Sequence, residues 1–378
     1  MPAPSHHDKP QPQEYPSATS PTMPSMKTIA ARLGLSTSTV SLALANKPVV
    51  APATRKRIQK MAADLGYRKN PLVAALMESR RWRRTPSASP VIAFLTLDNT
   101  RDGWREFPAV GPEFFRGCTR EAERFGYKVE PFWARDPAMH SQRLSNMLSA
   151  RGIQGVIVGT APGDGVNLEL DWSRFSAASV SIGLLSPLID NLGCDHFWCM
   201  REAMQQCVVA GHRRVGLVIR KNADTRLQHR WSGAYWAHVH ALGLDADIAP
   251  LETGSTDPRK FLAWLSQMRP QAVVGQIESA MLDYLKAEGV RVPRDVSLVS
   301  VVLRRRNEYL TGLCEDRELI GERAARHVIS LIQHNVTGVP SAPCFLFTRG
   351  VWNEGQTLKK IRPARSGHPA VVSAVSTM

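Results

Sequence analysis

Residues Ser25 to Ala45 read SMKTIAARLGLSTSTVSLALA, and they constrain the chain most: they spell two short helices joined by a turn of only a few residues. Ile29, Ala30 and Leu33 recur at helical spacing, and Gly34 stands where a chain leaving a helix takes positive φ. Ser36 can cap a second start, its oxygen accepting from a backbone N–H that has no partner within the helix. Val40, Ala43 and Leu44 then fasten the second helix to the first, so Ser38, Ser41, Leu42 and Ala45 share a free face at i, i+3, i+4, i+7. A helix presented this way fits a DNA major groove. Two helices of an ordinary bundle satisfy the same short pattern, but a third element tips the balance toward DNA. Thr54 to Leu65 form another amphipathic helix with Ile58, Met61 and Leu65 on one side, stopped by Gly66-Tyr67-Arg68-Lys69-Asn70-Pro71.

The charge is concentrated here. Of a formal net charge of +15, the stretch from Ser25 to Arg84 supplies eleven, with thirteen Lys or Arg against Asp64 and Glu78. Such a footprint calls for an acidic partner, a nucleic acid or a membrane surface. No run approaches the roughly 18 apolar residues of a spanning helix, and the N-terminus lacks the charged-then-apolar order of a secretion signal. A cytoplasmic protein is therefore expected. The six cysteines show no CxxC spacing and read as reduced thiols. Cys194, His196 and Cys199 invite a metal reading, but no second ligand pair stands at structural-zinc spacing, so neither a metal nor a cofactor is expected. HExxH, GxSxG and GxxxxGK[ST] are all absent, and no enzyme is expected.

Taken in order, residues 1–24 are rich in Pro, Ser and His and poor in large apolar side chains, which predicts a flexible tail. The headpiece occupies 25–69, and 70–89 hold a short amphipathic, arginine-ended segment and a TPSASP linker. From Val91 the chain alternates apolar runs with helical stretches: VIAFLTL, YKVEPFW, GVIVG and SVSIG, then RVGLVIR, AVVGQ and SLVSVVL. Unbroken apolar runs between helices mean buried parallel strands in a doubly wound α/β arrangement. The expected core spans 90–358, with chain crossovers near 186–190, 312–318 and 343 and a flexible tail over 359–378 that has no leucine heptads.

The residue order resembles the lactose-repressor (LacI) family of bacterial transcription regulators. The resemblance is carried by Ile29-Ala30, Gly34-Leu35-Ser36, Thr39-Val40-Ser41, Lys47-Pro48, Thr54-Arg55, Leu65-Gly66-Tyr67 and Asn70, then by Phe114-Phe115, Ala210-Gly211-His212-Arg213-Arg214-Val215, Val292-Pro293-Arg294-Asp295 and Gly321. It implies an all-α helix-turn-helix headpiece followed by a periplasmic-binding-protein-like core of two subdomains facing across a cleft. The implied function is a homodimeric, sequence-specific DNA-binding regulator, expected to be a repressor, whose operator affinity is set by a small molecule in that cleft. Two rivals stay open: a DNA-binding dimer that has lost ligand response, and a solute-binding protein on the same core. The resemblance also makes 70–84 a hinge helix that pushes Leu76 into the minor groove, against the alternative of a plain basic linker.

Family members often carry arginine where Leu42 stands and large hydrogen-bonding residues where Thr37 and Ser38 stand. Leucine cannot bond a base edge, so Thr37 and Ser38 are expected at base edges and Leu42 against a thymine methyl. Ser36, Thr39, Ser41, Asn46, Thr54 and Tyr67 are the expected phosphate contacts. Ligands of open α/β sheets bind beyond the carboxyl ends of the strands, which selects Asp98, Asn99, Thr160 and Gln276. The resemblance adds Arg230. Where the family places ligand-binding acids, this chain has Gln276-Ile277 and, after Leu303, Arg304-Arg305-Arg306. That loss argues against a simple neutral sugar and leaves Arg304 either lining a pocket for an anionic effector or sitting in a solvated loop.

Overall fold

A computed structural model of the chain describes residues 25–44, 46, 49–65, 67, 89–106, 110–163, 165–253, 258–306 and 308–361. The expected N-terminal tail, the hinge with Leu76, and residues 362–378 lie outside the described residues. The chain divides into two compact units, 1–85 and 86–378.

In the first unit, α1 (Met26–Leu33) opens on a capping box: Ser25 Oγ accepts from Thr28 N–H at 3.2 Å while Thr28 Oγ1 accepts from Ser25 N–H at 3.3 Å. Gly34 ends it at φ 65°, where its N–H reaches the carbonyls of Ala30 and Ala31. Ser36 Oγ accepts from Thr39 N–H at 3.1 Å and starts α2 (Thr37–Leu44). Helix α3 (Pro52–Asp64) has no side-chain cap at Ala51, and Pro52 in its first turn offsets part of that loss by presetting φ. Ile29, Val40 and Ile58, one from each helix, are wholly buried against each other with Ala30, Ala43 and Ala62.

The second unit holds two six-stranded sheets. Its elements in order are β1 (Val91–Thr96), α4 (Gly111–Arg124), β2 (Lys128–Trp133), α5 (Ser141–Ala150), β3 (Gly155–Val158), β4 (Val166–Asn167), β5 (Ser176–Val180), β6 (Leu184–Ser186), β7 (Asp190–Cys194) and α6 (His196–Val209). There follow β8 (Val215–Arg220), α7 (Lys221–Arg226), α8 (Arg230–Ala241), β9 (Leu251–Thr253), α9 (Pro258–Met268), β10 (Ala272–Gly275), α10 (Ser279–Ala287), β11 (Ser297–Leu303), β12 (Gly312–Cys314), α11 (Arg317–His334), β13 (Phe345–Thr348) and β14 (Val351–Asn353). One sheet runs β13-β7-β5-β3-β1-β2 with every pair parallel. The other runs β14-β12-β11-β10-β8-β9, parallel except for the β12–β14 edge. Strands β1, β3, β8, β10 and β11 are buried nearly throughout, as their apolar runs require, and β5, which reads SAASV, is buried with them.

The chain passes between the sheets three times, at Asp195, at 315–316 and at 349–350. The first and third passages fall later than expected, because β7 and β13 remain in the first sheet. Helix α11 thus returns to the first subdomain, where it lies against α4. A Cβ on Gly117 would sit 1.9 Å from the Glu318 carbonyl oxygen and one on Gly321 2.2 Å from that of Phe114, so only glycine permits this approach. Arg116 and Arg120 reach Glu318, and Arg326 reaches the buried Glu121, across the same seam. A continuous apolar cluster links the subdomains, running from Phe94 and Phe114 through Cys199 and Met200 to Leu217 and Trp231.

Candidate DNA interface and ligand cleft

On α2, Thr37, Ser38, Ser41 and Leu42 are exposed while Val40 and Ala43 are buried, the division the helical spacing requires. Leu42 keeps 38 % of its surface in solvent, an apolar side chain on a face of hydroxyls. Ser36 and Thr39 hydroxyls bond each other at 2.8 Å beside the helix start. Asn46 adopts a left-handed turn at φ 53°, its Oδ1 accepting from Gln59 Nε2 at 2.8 Å. Thr54 lies half-buried in the first turn of α3. Tyr67 packs on the headpiece core and donates its N–H to Ala62 O at 2.8 Å. Among the described cations of this unit, Arg55 reaches the Val50 carbonyl and Arg57 the Leu33 carbonyl, whereas Lys27, Arg32, Lys56 and Lys60 stand exposed. A helix face carrying hydroxyls, in a unit that also exposes these cations, is suited to duplex DNA: hydroxyls bond bases or phosphates, and cations meet the backbone charge.

In the second unit, the carboxyl ends of β1, β3 and β5 and helix α7 enclose a cavity of about 410 Å³. Asp98, Thr160, Ser181, Glu106 and Arg226 line it. Asp98 Oδ2 is shut off from solvent without a hydrogen-bond partner, and burial holds its carboxyl above the ordinary range. Arg226, from the second subdomain, donates to the Gly163 carbonyl at 3.0 Å and so spans the mouth.

The other expected ligand residues are placed differently. Asn99 Oδ1 accepts from Arg135 at 2.8 Å. Gln276 is buried, and its Oε1 accepts from the Arg220 N–H at 3.0 Å, tying the end of β8 to that of β10. Arg230 lays its guanidinium 4.5 Å over the Phe347 ring, joining α8 to β13. The Arg304 carbonyl accepts from Arg317, a buried guanidinium that also pairs with Glu113 and Glu315 at 3.0 Å each beside the second passage between sheets. None of these four lines the cavity. Glu106, Ser181 and Arg226 stand outside the set the sequence selects. Ser181, inside the SVSIG run, directly follows the end of β5 at Val180, so the strand-end rule reaches it; Arg226 sits on a six-residue helix with no apolar period to announce it.

Cys194 and Cys199 place their sulfurs 3.5 Å apart in the apolar core, and both are buried. His196 stands edge-on to Trp231, and burial pushes its pKa down to about 4, so the ring is neutral. Among the described residues no group of His, Cys, Asp and Glu has the arrangement of a metal site. His212 is buried just ahead of β8, with Nε2 2.9 Å from the Lys359 carbonyl.

A three-helix unit with one helix face left free, followed by paired parallel sheets around a cleft, defines a DNA-binding regulator with a ligand-binding core. Similarity to known proteins agrees. The profile of "Bacterial regulatory proteins, lacI family" matches residues 25–70 and that of "Periplasmic binding protein-like domain" matches 204–349. The transcriptional regulator CelR of Thermobifida fusca is 23 % identical over 335 residues, 85 % of this chain and 94 % of that protein. The transcriptional repressor CytR of Escherichia coli K12 is 22 % identical over 351 residues, 87 % of this chain and 96 % of that protein. Among solved structures, the lac repressor dimer bound to operator and the anti-inducer ONPF matches with a TM-score of 0.53 at 14 % identity, covering 89 % of this chain and 99 % of that one. A CelR–cellobiose complex matches with a TM-score of 0.51 at 19 % identity, covering 88 % and 99 %. The lacI-family match thus covers the headpiece, and the chain is similar over most of its length to transcription regulators of that family.

Proposed function

We propose that this chain is a homodimeric repressor acting in the cytoplasm, whose grip on a near-palindromic operator is set by a hydroxyl-rich small molecule in the 410 Å³ cavity. The observation that carries the ligand class is Asp98, whose Oδ2 is buried without a partner on the cavity wall. A carboxylate in that position accepts from a ligand hydroxyl, and a bound ligand then supplies what burial removed. With Asp98 and Glu106 against Arg226, the wall is net acidic, which disfavours an anion in this cavity. The cellobiose complex of the similar CelR supports the same class. Ligand binding between two subdomains shifts the population of their relative placements, and operator affinity follows by linkage.

Asp98→Asn tests this. The variant is expected to fold with no loss of melting temperature, since it removes a buried charge, and to lose the thermal shift that a panel of mono- and disaccharides gives the full-length protein. A retained shift places the ligand elsewhere.

For DNA, the reading rests on the exposed α2 face: Thr37 and Ser38 at base edges, Leu42 on a thymine methyl, and Ser36, Thr39, Ser41, Asn46, Thr54 and Tyr67 along the backbone, with Leu76 as the minor-groove wedge. Leu42→Arg is expected to redirect preference toward guanine by about 1–3 kcal/mol at one position of each half-site. Selection of bound duplexes from a random pool checks it, and an unchanged consensus removes Leu42 from the base-reading set.

A further inference from the structure

A second concavity of about 760 Å³ adjoins the cleft, between the 184–189 segment and α7, and shares Ile182 and Arg226 with the first. Its chemistry is different. One wall is Leu184, Leu185, Leu188, Ile189 and Phe345, of which Leu185, Leu188 and Phe345 keep 49 %, 58 % and 41 % of their surface in solvent. The opposite wall is the polar side of α7, where Lys221 and Arg226 are the charged lining residues. Asp224 on the same helix is turned away: it is buried, accepting from the N–H groups of Trp231 and Ser232 and from the Ser232 hydroxyl. Large apolar side chains gathered in one exposed patch mark binding surfaces, and the volume lies within the roughly 300–1,000 Å³ of small-molecule sites.

We propose that this groove is a second binding site, for a carboxylate borne on an apolar body such as a medium-chain alkyl or aryl acid. The apolar wall covers the body, and the two cations at either end of α7 draw in the carboxylate, Arg226 from the end that the groove shares with the cleft. A guanidinium presents a fork of five donors, so Arg226 can add a carboxylate to the partners it already holds, the Gly163 carbonyl among them. The residue that spans the cleft mouth is therefore also the one a groove ligand would engage, which couples the two sites reciprocally. The inference stands on the groove and does not require the polyol reading of the cleft.

The test uses the full-length protein with anilinonaphthalene sulfonate, an anionic aromatic dye that brightens on apolar burial, displaced by octanoate or by neutral octanol. Saturable binding is expected, displaced at least about tenfold more effectively by octanoate, with Lys221→Glu and Leu188→Asp each weakening the dye by about tenfold or more. Lys221→Gln, which removes the charge without reversing it, is expected to fall between. Circular dichroism confirms that each variant folds, and Asp98→Asn is expected to bind dye as the parent does. Equal displacement by octanol, parental dye affinity in Lys221→Glu, or loss of dye binding in Asp98→Asn each overturns the proposal. Dye binding that disappears as the chain self-associates assigns the groove to a second copy and overturns it too. Failure of the saccharide shift with these results intact would remove the cleft reading alone.

Discussion

Raising monovalent salt from about 50 to about 200 mM is expected to weaken DNA binding by the full-length chain on the order of 10²-fold for each headpiece engaged. Each cation that neutralises a phosphate releases a condensed counterion, and that release becomes less favourable as salt rises. Lys27, Arg32, Lys56 and Lys60 are the exposed described cations of the headpiece, while Arg55 and Arg57 already serve headpiece carbonyls. Four such contacts at a slope near 0.9 each give roughly the stated loss, and two headpieces on one operator multiply it. Fluorescence anisotropy on a selected duplex, read as the logarithm of affinity against that of salt, measures the slope directly. A slope near zero would mean that the cations do not meet the backbone. Thr54 and Tyr67 carry no charge, so replacing them is expected to lower affinity without changing the slope.

The largest effect on stability is expected from Gly117→Val. The Cβ alone would lie 1.9 Å from the Glu318 carbonyl oxygen, and the obstacle is backbone, which cannot swing aside as a side-chain tip can. Helices α4 and α11 must separate, loosening Phe114, Cys118, Ala324 and Val328 together. Overpacking of this kind costs about 3 kcal/mol or more. At roughly 2–4 °C per kcal/mol for a domain of this size, the melting temperature should fall on the order of 10 °C. Gly233→Ala is the matched control: it lies in α8 with nothing within 4 Å of its added Cβ. There the methyl group is expected to raise stability by roughly 0.5–1 kcal/mol through a less free unfolded chain. Scanning calorimetry on both variants decides it; equal melting temperatures would mean that α4 and α11 yield to each other cheaply.

The headpiece is legible in the sequence because its signals are local. Ser25, Gly34 and Ser36 mark helix ends by hydrogen bonds within a few residues, and Ile29, Val40 and Ile58 face inward at helical period. The central strands are legible for a similar reason: VIAFL and VGLVI are apolar throughout and buried nearly throughout. Strand β7 is not, since DNLGC carries Asp190 and Asn191 inside a sheet. Their side chains find partners at a distance in the chain, Asp190 accepting from the Cys344 N–H at 2.8 Å and Asn191 Nδ2 donating to Ser179 Oγ at 2.9 Å. No local pattern announces partners so far along the chain. The cleft divides along the same line. Asp98 and Thr160 come from a rule about strand ends, which is geometric, and both line the cavity. Gln276 sits equally well at a strand end, but its amide is taken up by Arg220, a fact that belongs to the packing of two strands.

The threefold passage between sheets bears on how such a protein is made. The first sheet opens with Val91 yet is completed by Phe345–Thr348, and its seam with α4 needs α11 from the far end. A ribosome emitting the chain from its N-terminus can therefore release the headpiece early, but the body must wait, half assembled, until Phe345–Thr348 leave the exit tunnel. Chains cut short by a premature stop would expose the flank of β7 and the bare face of α4, which makes them ready targets for chaperones and proteases.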